Sequence, residues 1–195
     1  MTNSTIGGLF FAAVVALCAA PCGVAEDTDD ALLFPNSDFE QGDLTNWTTE
    51  GLAFTHQPVK GENAVVREPD KHARPQGDYW VGTYERYQGR QGQRPGTRQG
   101  DSPTGGLLSK PFLIKKPYIA FLVGGGRGDE VGVRLVVEGE AVRACTGAEE
   151  ELMREVVWDV EAYVGQQAML YILDHAAEGW GHVNADYFHY VEDEP

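Results

Sequence analysis

Short runs of alternating apolar and polar residues, most with Gly, Pro, Asn or Asp on both sides, recur along this chain. Residues 78–84 (DYWVGTY), 118–123 (YIAFLV), 131–137 (VGVRLVV), 141–145 (AVRAC), 167–174 (QAMLYILD) and 183–191 (VNADYFHYV) have the period of two expected of strands. Residues 33–39, 107–114 and 152–160 are rich enough in aromatic and β-branched residues to predict three more. Residues 138–140 (EGE) predict a hairpin between 131–137 and 141–145. No run of a dozen residues sustains a period of 3.6, so long helices are excluded. Residues 161–165 (EAYVG) predict at most one short helical turn. Many short strands at fairly even spacing predict an all-β chain folded as a single β-sandwich jelly roll.

Two segments break this pattern. Residues 1–25 carry no Asp, Glu, Lys or Arg, are nearly all apolar from Ile6 to Ala20, and end in small residues before Glu26 and Asp27. They predict a signal peptide, removed after Ala25, with Pro21 and Gly23 leaving the run short for a stable membrane span. The protein is then expected to be secreted, periplasmic or at the cell surface, with residues 26–195 as one domain. Residues 88–100 (QGRQGQRPGTRQG) hold Gly, Gln and Arg with no apolar residue but Pro95. They predict a mobile, exposed loop.

The 30 acidic residues against 15 basic ones give a formal charge of −15. Such a surface repels nucleic acid and anionic lipid. It suits solubility, and it also suits a hard cation. Cys18 and Cys22 lie in the leader, so Cys145 has no internal partner and reads as a small core residue.

Acidic clusters sit near both ends of the domain, at 36–40 (NSDFE) and 184–186 (NAD). The first and last strands of a sandwich commonly lie side by side, which would bring Asp38, Glu40 and Asp186 together. Calcium takes about six to eight oxygens from carboxylates and main chain, and these residues could supply part of that set as a structural calcium site. The same carboxylates also suit turn capping. Gly125 and Gly126, within 124–126 (GGG), permit a ligand to approach main chain closely, or simply form a tight turn. Trp180 and His182 offer an aromatic face and a polar group for a sugar, with Arg127 and Asp129 adding hydrogen bonds. Trp180 also suits the core or its rim.

For catalysis, Asp174–His175 and His182 with Asp186 are the available pairs. A His beside an Asp in a turn is usually a hydrogen-bonded surface group. Glu149, Glu150 and Glu151 read as a solvated charge run. The chain is expected not to be an enzyme. Asn46-Trp47-Thr48 has the form of an N-glycosylation sequon.

Five blocks in order carry a resemblance. They are NSDFE with GDLTNW (36–40 and 42–47), QGDYWVGTYE (76–85), DSPTGGLLS (101–109), FLVGGG (121–126) and GWGHVN (179–184). Together they resemble galactose-binding-like β-sandwich jelly-roll modules, which include many carbohydrate-binding modules. The type occurs as an accessory domain in secreted fructan-cleaving glycosidases and in large exported bacterial proteins with c-type haem domains. The resemblance implies a jelly roll, export and a binding role. It also implies that Glu40 and Asp186 hold a structural calcium. The chain departs in having a single Gly before Trp180 where two are usual. Two functions are then expected: a non-catalytic module that binds a carbohydrate or envelope polysaccharide, or a cell-envelope domain that holds a protein partner without binding sugar.

Overall fold

Alternation along the strands becomes two faces in the folded chain. In a computed structural model, which describes Met1 and residues 31–192, eleven strands form: β1 (Trp47–Gly51), β2 (Val59–Lys60), β3 (Tyr79–Gly82), β4 (Gly105–Ser109), β5 (Phe112–Leu113), β6 (Tyr118–Gly125), β7 (Val131–Val137), β8 (Glu140–Cys145), β9 (Glu150–Asp159), β10 (Gln167–Asp174) and β11 (Val183–Val191). Apart from Met1, the expected leader, residues 1–25, lies outside the described residues. Among the described residues, no helix is long and apolar enough to cross a membrane.

One sheet runs β1-β4-β10-β7-β8, with β5 added against β10. The other runs β2-β3-β11-β6-β9. All pairs are antiparallel, so the expected all-β sandwich is what forms. Register explains the core. Ile172 of β10 stands opposite Leu107 of β4 on one side and Val133 of β7 on the other, and none of the three is exposed to solvent. From the second sheet Phe121 and Phe188 stack with ring centroids 5.0 Å apart, and Trp158 meets Phe121 edge-on at 4.6 Å. Val81 of β3 joins this core, so its neighbour Trp80 points to the other side of the sheet. There Trp80 packs with Val59, Ala73 and Met153 in a second, smaller cluster.

Three expectations about elements need correction. Residues 33–39 form turns, not a strand, with Asn36 and Phe39 at positive φ (67° and 61°). Their apolar side chains are still core. Leu33, Phe34 and Phe39 are buried, and Phe39 stacks on Trp47 at 5.0 Å. Residues 107–114 are two strands broken at Lys110-Pro111, because Pro111 has no N–H to donate to a ladder. Among the described residues two 3-10 turns occur, Glu161–Tyr163 as expected and Ala64–Val66 as well. The hairpin at 138–140 forms, with Glu138 and Gly139 both at positive φ as a tight hairpin turn requires.

The two ends of the domain do meet, by an isolated bridge rather than by paired strands. Leu32 bridges to His189, Phe188 N–H donates to the Ser37 carbonyl, and Ser37 Oγ donates to the Phe188 carbonyl at 2.7 Å. Residues 88–100 are tied to the body. Arg86 N–H donates to Thr97 O, Gln99 N–H to Tyr84 O, and Gln88 Nε2 to Gln57 O at 2.9 Å. Gln99 Nε2 donates to the carbonyls of Ala53 and Thr83.

Candidate functional site

Asp186 sits where β11 departs from regular pairing with β6, in the irregularity between Asp186 and His189, and Tyr187 takes φ 54° there. The side chain is fully buried. Its Oδ2 accepts from Gln76 N–H at 2.8 Å, while Oδ1 has no partner among the described residues. Burial drives the carboxyl well above the ordinary carboxylate value; the Gln76 and Tyr187 N–H groups hold it down, and the charges of Glu40 and Asp38 push it further up. Glu40 accepts from Asp78 N–H at 2.9 and 3.0 Å and from Tyr79 N–H at 2.8 Å. Asp38 Oδ1 accepts from Glu40 N–H at 3.3 Å.

The three expected ligands therefore share one region. Its chemistry fits a cation in part: a buried carboxylate oxygen lacks a donor, and two further carboxylates act on it through charge. Both oxygens of Glu40 are engaged by main-chain N–H groups, however. Among the described residues no group of three His, Cys, Asp or Glu side chains has metal-holding spacing. An ion here would take Asp186 as its anchor and main-chain oxygens for most of its shell.

The second site lies at the end of the sandwich where β3, β10 and β11 meet the loops. An open cleft of about 550 Å³ is lined by Tyr84, Arg98, Gln99, Asp101, Ser102 and Glu178, with Gly100, Ala177 and Gly179. Beside it the rings of Tyr84, His182 and Trp180 follow one another, with centroids 5.2 and 5.4 Å apart. Trp180 is partly exposed, and Lys71 Nζ stands 5.5 Å from its ring centre. His182 is buried. Its Nδ1 is 2.8 Å from Asp101 Oδ1, and its Nε2 is 3.8 Å from Glu151 Oε2 with no hydrogen-bond partner.

Tyr84 is held from several sides. Arg98 Nη1 donates to its hydroxyl at 2.6 Å, and the Arg67 guanidinium lies 5.6 Å from its ring centre. Arg67 itself is fixed by Glu85, a fully buried carboxylate that accepts from both Arg67 Nη atoms and from Asn63. The carboxylate raises the Arg67 pKa above its usual value through that hydrogen bond, against the cost of burial. Below the cleft, Asp174 is buried with Oδ1 unpartnered. Burial pushes its pKa up to about 7, against a hydrogen bond from Thr83 and the charge of His182, with Asp101 adding to the rise.

The structure redistributes several expected residues. Gly125 and Gly126 do not offer open backbone to a ligand, because the close approach they permit is to the chain itself. A Cβ on Gly125 would lie 2.5 Å from the His182 carbonyl, and one on Gly126 would lie 1.9 Å from the Trp180 carbonyl. Gly126 N–H donates to His182 O at 2.8 Å, so these glycines seat the Trp180–His182 segment. Arg127 and Asp129 are exposed in the β6–β7 connection; the Asp129 carbonyl accepts from Arg134. His182 pairs with Asp101, not with Asp186. Asp174 points inward while His175 is exposed and meets the Tyr171 hydroxyl at 3.1 Å. Glu151 is no solvated member of a charge run: it turns in to accept from Asn184 Nδ2 at 3.2 Å. Its place at the start of β9, two residues after Glu149 at φ 62°, carries no sequence signal. Tyr84 and Asp101 lie inside two of the resemblance blocks, 76–85 and 101–109, but nothing in their local sequence marks them as facing a common cleft. Cys145 is half-buried at the edge of the core, and burial lifts its thiol pKa to about 12.

No family model matches this chain. It is 36% identical over 167 residues to a protein of Aspergillus rugulosus named "Putative glycosyl hydrolase ecdE", covering 81% of this chain. The chain spans 20% of the length of that curated relative. Among solved structures it is similar to the carbohydrate-binding module TmCBM61, determined in complex with β-1,4-galactotriose. That likeness has a TM-score of 0.50 at 16% identity and covers 83% of this chain and 99% of the module. The chain has the two-sheet antiparallel β-sandwich fold of that module.

Proposed function

We propose that this domain is an exported, non-catalytic glycan-binding module, stabilised by a calcium ion at Asp186. The observation that carries this is the open cleft whose wall holds Tyr84, Arg98 and Asp101 beside the ring row Tyr84, His182 and Trp180. Sugar rings present C–H faces that pack on aromatic side chains, and hydroxyls that need both donors and acceptors. Arg98 supplies donors, and Asp101, Gln99 and Ser102 supply acceptors. The galactotriose complex of the module with the same fold supports a carbohydrate as the ligand, and the glycosyl hydrolase name of the longer relative supports a place beside a glycosidase. The residues 1–25 motivate export.

Non-catalysis is supported by the arrangement of acids. Asp174 is buried beneath the cleft, and Asp101, which lines it with Glu178, is held against His182 as a fixed acceptor rather than a mobile acid. A calcium ion would be anchored by Asp186, with Asp38 and Glu40 contributing negative charge. It would supply the cation that the buried Oδ1 lacks.

A glycan array with the protein in calcium tests the assignment, with Tyr84→Ala as the control. Binding to at least one glycan, lost in a variant that keeps its melting temperature, is expected. A silent array, or binding untouched by Tyr84→Ala and Trp180→Ala, overturns it.

A further inference from the structure

The charges around the cleft bear on which glycans enter it. Asp101 and Glu178 line it, and Asp174 and Glu151 lie beneath or beside it. On the positive side stands Arg98, held at the Tyr84 hydroxyl. Arg67 is paired with Glu85, and Lys71 lies over Trp180.

Asp101 is the distinctive member. Its side chain is 24% exposed against 4% for His182. One oxygen faces His182 Nδ1 at 2.8 Å. No described protein group donates to the other, Oδ2. A carboxylate so oriented is an acceptor-only group with lone pairs left for ligand hydroxyls. The neighbouring Arg98 keeps N–H groups beyond the one given to Tyr84. Adjacent sugar hydroxyls each donate and accept, so the pair matches a vicinal diol.

Resting on the glycan-binding reading above, we infer that Asp101 sets the specificity of the cleft and that the ligand is a neutral glycan rather than one rich in uronic acids. His182 acts as a positioning residue by fixing the carboxylate. A neutral hydroxymethyl group at C6 is accepted beside Asp101 and Glu178, whereas the carboxylate of a uronate brings like charge against both.

The test uses the whole chain and an array of neutral oligosaccharides, β-1,4-galactotriose among them, each spotted beside the same oligosaccharide oxidised at C6 to the uronate. The neutral member of a bound pair is expected to bind roughly tenfold tighter or more, by the size of a like-charge penalty. Asp101→Asn, confirmed folded by its melting curve, narrows that ratio several-fold, and Glu178→Gln narrows it less. His182→Gln, confirmed folded in the same way, is expected to lower affinity for the neutral member, because the Asp101 carboxylate loses the ring nitrogen that faces it at 2.8 Å. Uronates bound as well as their neutral partners overturn this inference alone, as does an unchanged ratio in folded Asp101→Asn. Silence for both members of every pair overturns glycan binding itself and this inference with it.

Discussion

Asp186 and Glu40 hold the two ends of one short turn. Asp186 takes the N–H of Gln76 at 2.8 Å, and Glu40 takes those of Asp78 and Tyr79 at 2.9 and 2.8 Å. The turn thereby joins the N-terminal segment to the middle of β11, and it leads straight into β3.

A consequence concerns calcium. Asp186 is raised far above its unfolded value by burial, so its contribution favours the fold at low pH and is lost as pH rises through the folded value. A cation reverses this by compensating the charge. Calcium at neutral pH is expected to raise the melting temperature by several degrees, about what 1–2 kcal/mol gives in a domain this size. In Asp186→Asn the calcium response disappears, and the metal-free protein melts at or above the parent at pH 8. An equal calcium response in both, read by calorimetry, places the ion elsewhere.

Gly77 lies inside the same turn at φ 82°, and a Cβ there would stand 2.5 Å from Glu40 Cδ. Gly77→Ala is expected to cost roughly 1–3 kcal/mol through left-handed strain and displaced carboxylate. In Glu40→Ala the steric part vanishes, so the two substitutions should be less than additive in a urea-unfolding cycle.

Asp174 gives a second pH signature. Its pKa is pushed from 3.8 to about 7 by burial, so the folded state holds a proton that the unfolded state has released between those values. Stability from this group is full below pH 4 and falls as pH rises to about 7, by on the order of a few kcal/mol in all. Asp174→Asn is expected to flatten that part of the urea midpoint against pH and to stabilise the protein at pH 8. A parent profile that rises from pH 4 to 7 with the same slope in the variant contradicts this.

The Arg67–Glu85 pair is the costliest to break. Glu85 is fully buried, and Arg67 Nη2 is 2.5 Å from it. Arg67→Ala leaves that charge unpaired, at about 3–5 kcal/mol. By contrast Arg154→Ala, whose partner Glu150 is about half exposed, changes stability by less than about 1 kcal/mol. Because Arg67 and Asn63 also contact the carbonyls of Gly96 and Thr97, hydrogen exchange in residues 88–100 should rise in Arg67→Ala.

Strands β6 to β11 were legible because their alternation is strong and their turns are marked. Residues 33–39 were misread because burial without pairing looks the same as a strand: Phe34 and Phe39 carry the apolar signal, while the positive φ at Asn36 and Phe39 leaves little trace in sequence. Chain order points to Asp38 and Glu40 lying within charge reach of Asp186, but the N-terminal segment reaches β11 by turns and an isolated bridge rather than as the expected strand. The cleft was seen only at its Trp180–His182 edge, since Tyr84, Asp101 and Glu151 converge from three distant segments and nothing local marks a convergence. Gly125 and Gly126 announced a close approach without saying what approaches.

The place of β11 has a consequence for biosynthesis. It is the strand between β3 and β6, so neither neighbour can bond to it until the far end of the domain has left the ribosome. The sheet's middle is made last, and the face of Phe121 that Phe188 covers waits uncovered in the nascent chain until then. Cooperative folding is therefore expected to begin only once β11 has emerged, which makes the newly made chain dependent on whatever shields it during synthesis.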